Sequence, residues 1–144
     1  MRKPTIALVS CVKSKRSIRY PAQDLYTSPL FRGMRKYAET HADGWFILSA
    51  KYGLIAPTTV ISPYEMTLKR MGVAQRRNWS HRVADAIRKS VPKRSRLLIL
   101  AGLPYREGLE ALLGEHYEFI VPMAGLSFGP QLQWLKAHLT CSRV

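Results

Sequence analysis

The stretch TIALVSC, residues 5–11, is an unbroken apolar run rich in β-forming side chains. A strand with one wet face alternates apolar and polar residues, whereas a strand covered on both faces does not. Three further runs share this property: WFILSA (45–50), RLLILAG (96–102) and EFIVPMAG (118–125). Between them the pattern turns helical. Ser28 followed by Pro29 reads as an N-cap with proline at the first helical position. Leu30, Met34, Tyr37 and His41 then share one face. From about Ala74, Trp79, Val83 and Ile87 recur every four residues, opposite Arg76, Arg77, Arg82, Arg88 and Lys89. Residues 104–116 pack through Tyr105, Leu109, Leu112 and Leu113, and the last helix through Leu132, Leu135 and Leu139. Alternating strands and helices predict an α/β fold, a three-layer α/β/α arrangement around a four-stranded, mainly parallel sheet. No linker interrupts the pattern, so residues 1–144 read as a single domain.

Charge is the strongest global signal. Lys and Arg number 23 against nine acids, a net charge of +14. Such an excess attracts polyanions, although phosphate contacts by themselves specify no sequence. Nucleic acid, DNA foremost, is the expected partner. No run approaches the ~20 apolar residues of a membrane span, so no membrane is expected. The N-terminus MRKPTIALVSC is basic and then apolar, but its apolar part is short and reads as a first strand, not an export signal. The two cysteines, Cys11 and Cys141, form no CxxC pair, which excludes a disulfide framework and a zinc knuckle. A cytoplasmic monomer without metal or cofactor is expected.

In a parallel α/β sheet, ligands gather outside the carboxyl ends of the strands. Those ends hold Ser10 and Cys11, then Ser49, Lys51 and Tyr52, then Gly102 and Tyr105, and finally Gly125. Small residues let a ligand approach the backbone, and glycine adopts conformations that others avoid. These residues, with Tyr64, are the candidate lining of a base-binding cleft. Tyr64 either stacks on a base, worth ~1–3 kcal/mol, or packs onto the sheet in a Pro-Tyr turn. Lys13, Lys15, Arg16 and Arg19 follow the first strand and read either as a phosphate clamp or as a solvated loop. Lys51 reads as a further phosphate contact or, if desolvated, as an amine nucleophile. Asp24, in AQDLYTSPLF, and Glu65 are loop acids amid positive charge. A carboxylate there can aim a water or stabilise a developing cation; a local cap or salt bridge is the plainer role. Cys11 reads as a small buried apolar residue or as a nucleophile. No G-x-S-x-G elbow and no P-loop is present. All four histidines fall on helical segments or their ends, which argues against ligation.

The segments LVSCVKSK, AQDLYTSPLF, WFILSAKYGLIAP, ISPYEMTL, LAGLPYREGL and PMAGLSFGPQLQWL resemble a bacterial and phage domain family of unknown function. SAKYGL together with PYEMTL is the most specific part. The family is similar, more distantly, to the catalytic core of archaeosine synthase and to the DNA-binding peroxide-stress protein YaaA. The strand plan also resembles the uracil-DNA glycosylase superfamily, which implies the strand order 2-1-3-4. In that superfamily the loop after the first strand carries a Gly-Gln-Asp-Pro-Tyr motif whose Asp orients water. Gln23, Asp24, Leu25 and Tyr26 match it in part, and on that basis Asp24 takes the water-activating role. Pro is absent, the segment stands well past the strand, and residues 123–129 hold no His, so uracil is not the expected substrate.

Together these readings lead to an expected function: a DNA glycosylase acting on a modified base, such as glucosylated hydroxymethylcytosine, in defence against phages. Asp24 and Glu65 are its expected catalytic residues. The alternatives are a transferase acting on a nucleotide or a 7-deazaguanine base, and a DNA-binding module without chemistry.

Overall fold

In the computed structural model the described residues are 3–10, 18–26, 28–64 and 66–141, without the side chains of 128 and 139–141. The apolar runs form parallel strands: β1 (Thr5–Ser10), β3 (Gly44–Ser49), β6 (Arg96–Leu100) and β7 (Glu118–Ile120). Ala7, Leu8 and Val9 are successive residues and all have zero exposure, so both faces of β1 are covered. That is why its sequence does not alternate. Leu8 pairs with Phe46 on one side and Ile99 on the other.

The central sheet has five strands, not four. A short β4 (Gly53–Ile55) turns back antiparallel on β3, pairing Ser49 with Gly53 and Ile47 with Ile55. The order is β4-β3-β1-β6-β7, so the parallel strands stand second, first, third, fourth in chain order. Gly53 has φ +77°, a conformation that costs glycine little and other residues more. A separate two-stranded ladder pairs β2 (Tyr20–Pro21) with β5 (Val60–Ile61).

Helices pack in pairs. α2 (Pro29–His41) lies on β1 and β3 and meets α5 (Phe128–Cys141), while α3 (Val73–Ser90) meets α4 (Leu103–Leu113) and β4. Ser28 caps α2, its Oγ accepting from Phe31 N–H at 3.0 Å, with proline at the first position as the sequence predicts. Gly33 of α2 lets α5 in close: a Cβ there would stand 3.1 Å from Leu135 Cδ1. Asp24 lies in a one-turn helix, α1 (Ala22–Leu25), instead of the expected loop. Ala22 and Leu25 bury that turn's apolar side. The buried residues form one contiguous cluster running through both helix layers.

Candidate functional site

The carboxyl end of β3 is where the sequence concentrates polar side chains. Ser49 has zero exposure, and a buried hydroxyl without a partner costs about 1–3 kcal/mol. Its partners are supplied by two loops. Ser49 Oγ donates to Tyr64 Oη at 2.8 Å and accepts from Tyr52 N–H at 3.0 Å. Tyr64 Oη in turn shares a 2.6 Å hydrogen bond with Tyr26 Oη. Trp79 Nε1 donates to the Ser49 carbonyl at 2.9 Å, fixing α3 to the same strand end. Tyr52 meets Tyr64 edge to face, with ring centroids 5.5 Å apart. These groups pull the segments around residues 26 and 64 onto the sheet. Tyr64 is buried, so its ring belongs to the core in this conformation.

Beside this network, the ends of β1, β6 and β7 surround a cavity of about 200 Å³. Ser10 closes one side, Ala101 and Gly102 another, and Val121 and Met123 a third. Leu30 and Met34 of α2 and Gln131 of α5 complete the wall. The lining is mostly apolar with a few polar groups, the ordinary make-up of a small-ligand site. Gln131 Nε2 donates to the Leu126 carbonyl at 2.9 Å, which orients its amide. Gly102 is the N-cap of α4, so that helix starts at the cavity edge, with Tyr105 and Arg106 N–H donating back to the Gly102 carbonyl at 3.0 and 3.3 Å.

The structure brings Ser10 and Gly102 together in this cavity and places the other described candidates apart from it. Ser49, Tyr52 and Tyr64 form the network at the neighbouring strand end. Lys51, exposed, has its Nζ 5.3 Å from the Tyr52 ring centroid and lines a separate cleft against α3. Tyr105 stands edge to face with Trp79 at 5.6 Å. Gly125, φ +81°, turns the chain after β7. Arg19 is exposed just before β2. Asp24 accepts from Arg35 Nη1 at 2.9 Å, and the same Nη1 reaches the Gln23 carbonyl at 3.0 Å. Asp24 is not among the residues lining the cavity. Cys11, Lys13, Lys15, Arg16 and Glu65 lie outside the described residues. Among the described residues no cluster of three or more His, Cys, Asp or Glu could hold a metal ion, and no helix is long and apolar enough to cross a membrane.

Sequence reasoning did not find Leu30, Met34, Val121 or Gln131 as cavity walls. Leu30 and Met34 were legible as an apolar helix face, but periodicity does not say which core residues border a void. Gln131 stands in the first turn of α5, and from the segment leading into that helix the sequence singled out Gly125 alone.

A family model matches residues 6–137, and its description is a family of unknown function, DUF6884. The chain belongs to the DUF6884 family. The match spans every cavity residue from Ser10 to Gln131, so the strand-end site lies wholly within the DUF6884 domain. A relative from Bacillus subtilis (strain 168), the uncharacterized protein YfjM, is 32% identical over 109 residues, covering 72% of this chain and 69% of its own. No solved structure matches the chain.

Proposed function

We propose that this DUF6884 protein is a DNA glycosylase that hydrolyses the N-glycosidic bond of a modified base, and that it serves in anti-phage defence. The observation that carries the reading is the strand-end cavity bordered by Ser10, Gly102 and Met123 in a chain of net charge +14. At about 200 Å³ it is smaller than the ~300–1,000 Å³ of drug-sized sites. A single flipped base is a ligand of that scale, and its apolar walls suit a planar ring. Extruding the base costs a few kcal/mol, least where it is already poorly paired. The sheet, on this reading, is a uracil-DNA glycosylase-like one carrying an added edge strand. The more distant likenesses to the archaeosine synthase core and YaaA point toward the same substrate class.

In the reaction the C1′–N bond breaks, water adds its hydroxyl to C1′, and the remaining proton goes to the departing base. Positive charge builds on the sugar as the bond opens. A carboxylate stabilises that charge and aims the water, the role assigned to Asp24 or Glu65. The Arg35 contact fixes the Asp24 carboxylate on the rim of α2. Glucosylated hydroxymethylcytosine is one modified base within the substrate class of this reading.

The test is a base-release assay on single-stranded and duplex DNA carrying canonical bases, uracil, hydroxymethylcytosine, its glucosylated form and 7-deazaguanine derivatives. Alkali-labile abasic sites are the readout. Release from one modified base is expected, abolished by Glu65→Gln or Asp24→Asn and by Ala101→Leu, which fills the cavity. Release that survives both carboxylate substitutions refutes the assignment, as does silence across all substrates.

A further inference from the structure

A second cleft, of about 400 Å³, opens between the turn after β3 and the exposed side of α3. Its walls are Ala50 and Lys51 from the turn, Met66 and Met71 from the following loop, and Gln75, Asn78, Trp79 and Arg82 from α3. Gln75, Asn78 and Arg82 are spaced three and four apart and therefore share one stripe of the helix. Trp79 is the floor, only 2% exposed and held by its bond to the Ser49 carbonyl.

The chemistry of the lining is one-sided. Lys51 and Arg82 are both exposed, and the ion pairs among the described residues engage Arg35, Arg88, Arg96 and Arg106 instead. No carboxylate among the described residues lines the cleft. Gln75 Oε1 accepts from Gly72 N–H at 3.3 Å, which leaves the amide's NH₂ as its donating end. Gly53 sets the turn beside Arg82, its Cα hydrogen side lying at ordinary contact range: a Cβ there would stand 3.7 Å from Arg82 Nε. The cleft thus offers two full positive charges and side-chain amides over an apolar floor, at the carboxyl edge of the same sheet as the cavity. Two cations with amide donors, and no carboxylate among the described lining residues, are complementary to a phosphodiester.

We infer that the Lys51–Arg82 cleft holds the backbone phosphates of the nucleic-acid strand whose base enters the strand-end cavity. This rests on the proposed function, and it adds Arg82, Gln75 and Asn78 as strand-positioning residues. Each neutralised phosphate contributes about −0.7 to the slope of log K against log salt on single strands and about −0.9 on duplex.

The experiment measures oligonucleotide affinity by fluorescence anisotropy from low to moderate salt. It compares the wild-type protein, Lys51→Gln/Arg82→Gln, the charge-keeping Lys51→Arg/Arg82→Lys, and Lys89→Gln/Lys93→Gln as a matched loss of two charges elsewhere. The expected result is a slope shallower by about 1.4 on single strands and about 1.8 on duplex in the first variant alone. A wild-type slope preserved in Lys51→Gln/Arg82→Gln overturns the inference and leaves the glycosylase reading standing. Absence of salt-dependent DNA binding by the wild-type protein overturns both. Saturable binding of a deoxynucleoside monophosphate, lost in Lys51→Gln/Arg82→Gln, with no effect of that variant on oligonucleotides, would reassign the cleft to a free nucleotide.

Discussion

The Ser49 hydroxyl donates to the Tyr64 hydroxyl at 2.8 Å across 15 residues of chain, and Tyr64 bonds Tyr26 at 2.6 Å across 38. Three segments distant in sequence are tied at one buried point. Removing the Tyr64 oxygen leaves the buried Ser49 hydroxyl without its acceptor. Tyr64→Phe is therefore expected to lower stability by about 1–3 kcal/mol. The partners act together, so Tyr64→Phe with Ser49→Ala should cost less than the sum of the single changes. Urea denaturation of the two single variants and the double variant measures this. Strict additivity would show that the bond contributes little.

The α3–α4 crossing has a comparable sensitivity. A Cβ on Gly108 would come within 2.8 Å of Ser80 Cβ, and still nearer its hydroxyl. Ser80 is buried, so neither helix can yield freely. Alanine is favoured over glycine in a helix by about 1 kcal/mol, but overpacking costs about 1–3 kcal/mol. Gly108→Ala is expected to be net destabilising, and Ser80→Gly to recover part of the loss. A Gly108→Ala protein that melts at or above the wild-type temperature would mean that the helices separate without penalty.

Much of the fold was legible because a buried parallel strand has a direct sequence consequence: apolar residues in succession, as in Ala7, Leu8 and Val9. β4 was not, because it has only three residues and follows its turn immediately. Gly53, required by its positive φ, was the available sign of that reversal. The site was legible only in location. Composition marked the strand ends, yet it could not separate a serine that lines a cavity, Ser10, from one bonded inside the core, Ser49. Both are small polar residues ending an apolar run, and only the partners brought by Tyr26 and Tyr64 distinguish them. Arg82 read as one cation of a solvated helix face, since its position opposite Lys51 depends on how the turn after β3 folds back.

Asp24 offers a way to separate chemistry from architecture. Its ion pair with Arg35 is partly exposed, with side-chain exposures of 43% and 28%, and such pairs contribute about 0–1 kcal/mol. Asp24→Asn and Arg35→Gln should thus both fold with near wild-type stability. If Asp24 acts on the substrate, Asp24→Asn loses base release by about 10²-fold or more at unchanged melting temperature, while Arg35→Gln retains most of it. Equal losses in the two variants would assign the pair a positioning role.

Burial raises the pKa of Tyr117 above its ordinary value of 10.0, a rise that the positive charge of Arg88 partly opposes. Only the neutral phenol donates the 2.9 Å hydrogen bond to the Val91 carbonyl. Because the folded-state pKa lies above the unfolded one, this contribution is complete below about pH 10. It is lost as pH rises through the folded-state value. Stability measured by denaturant from pH 8 to 11 should therefore fall at the alkaline end, and less steeply in Tyr117→Phe. Burial raises Tyr37 in the same direction, so the variant keeps part of the slope. Parallel curves for the two proteins would remove Tyr117 from the alkaline response.

The two outermost strands of the central sheet, β4 and β7, are three residues each. An outer strand carries unpaired backbone donors and acceptors, and a long one invites another chain to add to it. Here the exposed ladder at either side is too brief to template such growth, while the long β1 lies innermost. Like charge repels like at +14; on the proposed function, a polyanion that gathered many copies along its length would cancel that repulsion. Short borders would then keep neighbouring copies from fusing into a continuous sheet.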